Sequence, residues 1–286
     1  MKKAWCFLVL LLLSAGLSCK RESPEEFLSR VDARIYYPQI HGLKSLSAEV
    51  ESPYIRTMFE RVSQDDEELL KRLNQLEIRI NYYWQESRGS RFVITGFPGD
   101  LKSLEGSVKQ VFDGTEVLIN PTPERVTFSQ FLPELSREDD KLLITGVNKD
   151  PMKPFFKYSL TLDSDLRILS RRYYTTSYTS ITFPAYIVKE GQFLLTYLKT
   201  DQEMKGGEIY SSEVKLEYTK ENGIFLVKTI EYLFVDKTLA KTMVGPVKLI
   251  FHNHRVNKRI DPQIFKKSAT RHPSPAPEMS PSSSVE

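Results

Sequence analysis

Residues 224–236 read Ile224-Phe225-Leu226-Val227-Lys228-Thr229-Ile230-Glu231-Tyr232-Leu233-Phe234-Val235-Asp236. The run is rich in β-branched and aromatic residues and holds no Gly or Pro, which is strand composition. Strict alternation puts Ile224, Leu226, Lys228, Ile230, Tyr232 and Phe234 on one face. Phe225, Val227, Thr229, Glu231, Leu233 and Val235 form the other. Both faces are largely apolar. An antiparallel strand wet on one side alternates more cleanly than this. The strand is therefore covered on both sides, or one of its faces lines an apolar cavity. Residues 192–199 behave alike, with Phe193, Leu195 and Tyr197 against Leu194, Thr196 and Leu198. A curved sheet closed by helices satisfies the pattern, and so do two packed sheets.

Working outward, strands are predicted over 142–147, 156–162, 166–176, 180–189, 192–199, 208–219, 224–236 and 241–251. Asp163-Ser164-Asp165, Glu190-Gly191, Lys205-Gly206-Gly207 and Glu221-Asn222-Gly223 separate them with turn chemistry. Separators this short join antiparallel neighbours. Upstream, 76–84 and 91–97 alternate around Ser87-Arg88-Gly89-Ser90 and predict a hairpin. Short strand pieces are predicted at 117–119 and 126–132. Helices are predicted from Ser23-Pro24-Glu25-Glu26 to Pro38, over 54–62, over 65–74 and over 101–112. The segments 54–75 and 98–112 are candidate lids.

The ends read differently. Met1-Lys2-Lys3 is a positive start, Phe7 to Leu13 an apolar run, and Ser14, Ala15, Gly16 and Ser18 are small. The apolar run is far too short for a membrane span, and the order is that of a secretory signal peptide. From about Lys267 the chain is Pro- and Ser-rich with no apolar period, which predicts a disordered tail. The expected organisation is a signal peptide over 1–18, one domain over 19–266 and a tail over 267–286.

Charge excludes one class of partner. The chain carries 40 Lys+Arg against 37 Asp+Glu, a net +3, and loss of Lys2 and Lys3 lowers this to +1. That gives no electrostatic case for nucleic acid. Removal of residues 1–18 leaves Cys19 as the single cysteine, so packing alone holds the domain.

The search for catalytic motifs is mostly negative: no G-x-S-x-G, no Walker A loop, no G-x-G-x-x-G and no H-E-x-x-H. His252-Asn253-His254 places two imidazoles on one strand face if alternation is regular, but a metal needs a third ligand. Asp163-Ser164-Asp165 lacks the Gly and Glu of a calcium loop and reads as a turn. No metal, cofactor or enzyme activity is expected. A carboxylate-pair hydrolase stays open as a minor reading, because any two acids can converge.

Two resemblances add to this. Gly16-Leu17-Ser18-Cys19 resembles a bacterial lipoprotein lipobox, with Ser18 fitting and Gly16 standing where Leu is usual. The resemblance implies that Cys19 is acylated and, with Lys20 following, that the protein is anchored in the outer membrane facing the periplasm. Without acylation the product would be soluble in the periplasm. The order of elements also resembles the LolA/LolB-like lipoprotein-carrier superfamily. It rests on Gly42-Leu43-Lys44-Ser45-Leu46-Ser47-Ala48-Glu49-Val50, the hairpin with Arg79, Tyr82, Tyr83, Trp84, Arg91, Phe92 and Val93, and Val256-Asn257, Ile260 and Phe265. The chain is longer than the basic carrier around 98–155. This resemblance implies an α+β fold: a large curved antiparallel sheet, an incomplete barrel, with N-terminal and inserted helices as a lid. It implies an apolar cavity for lipid or lipoprotein acyl chains, used in transport or sensing. The cavity candidates are Phe193, Leu195, Tyr197, Leu226, Ile230 and Tyr232, with Arg79 and Arg91 as possible polar members. Partners would be lipid, the membrane through the anchor, and other envelope proteins. A structural or interaction lipoprotein with a filled core is the alternative.

Overall fold

The computed structural model describes residues 22–266, apart from Asp65 and Ala240; the segments expected as a signal peptide and a tail, and Cys19, lie outside the described residues. Helix α1 spans Pro24–Arg34. The Ser23 hydroxyl accepts the Glu26 N–H at 3.2 Å, and the Glu26 carboxylate accepts the Ser23 N–H at 3.0 Å. This reciprocal capping box fixes the start of the helix. Phe27, Leu28 and Val31 face the interior, and so does Asp32. The helix stops at Ile35, short of Pro38. There the backbone turns extended, and the Tyr36 N–H donates to the Phe193 carbonyl at 3.0 Å.

Strand β1 (Ser45–Glu51), helices α2 (Tyr54–Ser63) and α3 (Glu67–Asn74), and the hairpin β2 (Arg79–Gln85) and β3 (Gly89–Thr95) follow. Then come a 3-10 turn at Gly99–Leu101 and helices α4 (Lys102–Gln110), α5 (Glu116–Ile119) and α6 (Glu124–Phe128). The strand pieces expected at 117–119 and 126–132 are corrected: both are helical, and the strand begins only at Phe131. The cause is tertiary. The Asp32 carboxylate of α1 accepts the N–H groups of Glu124 and Arg125 at 2.8 and 3.0 Å and so caps α6 from a distance.

Strands β4 (Phe131–Glu138), β5 (Lys141–Asn148), β6 (Phe155–Leu162), β7 (Ile168–Thr175), β8 (Tyr178–Lys189), β9 (Gln192–Met204), β10 (Ile209–Glu221), β11 (Ile224–Asp236) and β12 (Lys241–Val256) complete the chain, before a 3-10 turn at Pro262–Phe265. All strands join one 12-stranded sheet in the order 3-2-1-12-11-10-9-8-7-6-5-4. Every strand pairing is antiparallel. The two-sheet alternative is not realised. Strands β3 and β4 are the two edges, so the barrel is incomplete. Residues 96–130 leave one edge and reach the other, carrying α4, α5 and α6 across a single face of the sheet.

That face holds both cores. One is built on β1–β3 and β10–β12 and takes Ile55, Phe59, Leu73, Val108, Phe112 and Ile119 from the helices. The other is built on β4–β7 and takes Phe27, Leu28 and Val31 from α1 and Phe128 from α6. Both candidate lids therefore pack on the sheet as expected. Of the sheet's several bulges, two fall in the strands read as double-sided. Tyr186 pairs with Leu195 but Ala185 pairs with Tyr197, leaving Thr196 extra. Leu216 pairs with Ile230 but Tyr218 pairs with Val227, leaving Lys228 extra. A bulge of one residue exchanges the faces beyond it.

Candidate functional site

Cross-strand register builds a continuous ladder on the helix-covered face. Pro184, Leu198, Val214, Tyr232 and Val247 are successive neighbours across β8 to β12. One step along the strands, the neighbours are Arg171, Thr182, Thr200, Ser212, Phe234 and Val244 across β7 to β12. The first rung is apolar. The second carries three adjacent hydroxyls and ends in a guanidinium. Thr182 and Thr200 share a hydroxyl–hydroxyl hydrogen bond of 3.1 Å. Leu198 and Tyr232 are only half-buried against the first core, as are Leu195, Tyr218, Met58 and Tyr54. Tyr232 donates its hydroxyl to the Val111 carbonyl at 2.5 Å, tying the end of α4 to this rung. Burial holds the Tyr218 and Tyr232 phenols well above their ordinary range.

The polar end of the ladder opens on a buried network. Arg171 Nε donates to Glu124 Oε1 at 2.8 Å, and the Tyr158 hydroxyl donates to Glu124 Oε2 at 2.8 Å. The side chains of Arg171 and Glu124 are 16% and 4% exposed. Tyr37 and Tyr186 place buried hydroxyls nearby, the first beside Asp32 and the second beside Arg171. Burial pushes the Tyr173 phenol up to about 12 and raises the Asp32 carboxyl above its usual range, against the hydrogen bonds from Arg125 and Glu124. A carboxylate saturated by an arginine and a tyrosine is a structural anchor, and here it fixes α6 to the sheet beside the ladder.

The predicted residues are dispersed. Ile230 and Leu226 are buried in the packed core, at 0% and 1% exposure. Leu195 and Tyr232 lie on the ladder face. Phe193 is buried near α1, its ring 5.1 Å from the Arg34 guanidinium carbon. Tyr197 is displaced: the Thr196 bulge turns it to the opposite face, where its neighbours are Lys215 and Ala185. The Lys228 bulge shifts the register of Leu226 relative to Ile230, yet both stay in the same buried core. Arg79 is exposed beside Glu77, and Arg91 donates to the Ile264 carbonyl. Both arginines sit on the edge hairpin, away from the ladder. Asn253 takes a φ of +52° and breaks the alternation of the His pair. His254 contacts the Val227 carbonyl at 3.0 Å, while His252 lies 3.4 Å from Glu51. Among the described residues no group of three metal-ligating side chains forms. Asp163 Oδ1 accepts the N–H groups of Asp165 and Arg167, the turn expected there.

The sequence reading missed Leu198, Val214, the hydroxyl rung and the Glu124–Arg171 pair. One signal for the network is visible in α1, where Asp32 stands four residues after Leu28 on the apolar stripe.

Fold and site together define an open-sheet α+β protein with an incomplete barrel and helices across one face. No protein-family model matches the chain, and no curated protein does. Among solved structures it is similar to one from Vibrio parahaemolyticus, named as an outer membrane lipoprotein-sorting protein domain. The identity is 10% and the TM-score 0.35, over 85% of this chain and 96% of that one.

Proposed function

We propose that the protein is a bacterial cell-envelope lipoprotein, anchored through Cys19 in the outer membrane and facing the periplasm. Its domain binds a lipid or a lipoprotein acyl chain on the covered face of the open sheet. The observation that carries this is the pair of rungs: an apolar row through Leu198 and Tyr232, and beside it a hydroxyl row through Thr182, Thr200 and Ser212. An amphipathic ligand has the same two parts. Each methylene taken from water contributes about 0.8 kcal/mol, so part of one chain supplies useful affinity. The hydroxyls suit ester or headgroup oxygens. Binding of this kind uses no catalytic group, metal or cofactor.

The test is native mass spectrometry, with solvent extraction, on the chain from Lys20 onward. That form lacks the acylated cysteine, so any lipid found occupies a site. Stoichiometric phospholipid or lipopeptide supports the reading and names the ligand class. A mass unshifted by added phospholipid and lipopeptide overturns it. That result favours the second reading, an interaction lipoprotein with a filled core, for which the full burial of Leu226 and Ile230 speaks.

A further inference from the structure

We propose that the trench beside α1 holds an acyl chain carried by this protein's own Cys19. The proposal rests on the reading of Cys19 as an acylated N-terminus. The trench has a volume of about 610 Å³ and runs between α1, the tip of the β4–β5 hairpin and the β6–β7 turn. Phe27, Leu135, Leu142 and Leu166 supply its apolar lining, beside Ser136, Ser164, Arg30 and Arg137. It continues past Arg30 and Leu166 into a second groove of about 410 Å³ that reaches Arg34. Strand β4 is a sheet edge, so the trench opens sideways to solvent.

The occupant follows from the tether. Glu22 lines the trench, and its carboxylate accepts two hydrogen bonds from Arg30 at 2.8 and 3.0 Å. Cys19 stands three residues earlier. Three residues span at most about 10 Å even when fully extended. An acyl chain on Cys19 is thus delivered to the mouth of the trench at a high effective concentration. The four apolar side chains would take methylenes from water, and Arg30 and Arg137 would meet the ester end. This groove is separate from the ladder, which lies on β7–β12, and it serves the protein's own lipid, not a cargo.

The experiment uses the full acylated chain, produced in cells fed a diazirine-bearing palmitate analogue and purified in detergent. Intact mass reports whether Cys19 carries acyl chains. After irradiation, cross-linked peptides are mapped. Cross-links to the segments holding Leu135, Leu142 and Leu166, about tenfold above those to the segments holding Leu198 and Val214, are expected. A variant with Leu135→Asp and Leu142→Asp should lose about nine-tenths of them while its acyl mass is unchanged. Acylated Cys19 with cross-links confined to detergent, or to the ladder, overturns the trench proposal and leaves the anchor standing. A chain with no acyl mass on Cys19 overturns both.

Discussion

Glu124 and Arg171 show what a single pair of residues contributes. Their side chains meet at 2.8 Å in a nearly dry setting, and Tyr158 completes the carboxylate's partners. Removing one partner leaves a buried charge unpaired, which costs about 3–5 kcal/mol. Arg171→Met should lower the unfolding free energy by that amount in urea titrations. Adding Glu124→Leu should restore most of it, because both charges are then gone; a double variant no better than the single one refutes this account. Asp32 gives a pH-dependent effect. Burial raises its folded pKa above the ordinary 3.8, against two backbone hydrogen bonds. Between 3.8 and the raised value the folded state holds more protons than the unfolded chain, so this group's contribution to stability falls as pH rises. Below that window the contribution is fully present. Asp32→Asn keeps one acceptor for the cap on α6 but cannot ionise. The stability gap between variant and parent, followed from about pH 3 to about pH 7, should therefore shift in the variant's favour with rising pH. A constant gap would contradict the assignment.

At the scale of elements, local chemistry and long-range packing divide the work. Helix α1 begins where Ser23 and Glu26 form a capping box, which is legible in four consecutive residues. Ser23→Ala should cost about 1 kcal/mol by thermal or urea unfolding. The hairpin β2–β3 and the turns at Gly191 and Gly223 were legible for the same reason, since their φ values of +80° and +82° favour glycine. Helix α6 was not legible, because its cap comes from Asp32, far away in the chain. The β4–β5 pair illustrates a second long-range constraint. A Cβ at Gly146 would lie 2.6 Å from the Phe131 Cβ and 3.2 Å from the Phe128 ring. Its backbone angle is ordinary, so the constraint is steric. Gly146→Ala should destabilise by about 1–3 kcal/mol through overpacking against Phe131 of β4 and Phe128 of α6, and Phe128→Ala in the same background should relieve the smaller part of the clash.

The molecule as a whole is an open sheet whose crossing chain, residues 96–130, ties its two edges together. Both cores lie on the crossed face, and the ladder runs through its middle. Leu198→Asp should lower retained phospholipid in native mass spectra roughly tenfold or more, since it removes a central apolar contact and buries a charge. Lys215→Asp, on the opposite face of the neighbouring strand, should leave it unchanged. Equal losses in both variants would mean that the ladder face is not the binding surface.

The sequence by itself determined the antiparallel order, nearly every strand and turn, the capped first helix and the double-sided apolar strands. These depend on period, on φ preferences and on contacts within a few residues. Only the tertiary structure decided which side chains share a face. The extra residues Thr196 and Lys228 exist as bulges only in relation to β8 and β10. The first removes Tyr197 from the face of Leu195, and the second leaves Lys228 without a partner on β10. The same holds for Asp32, whose partners are brought to it by the crossing chain. Alternation is a property of one strand. Register and burial are properties of pairs of strands far apart in the chain, and no local pattern encodes them.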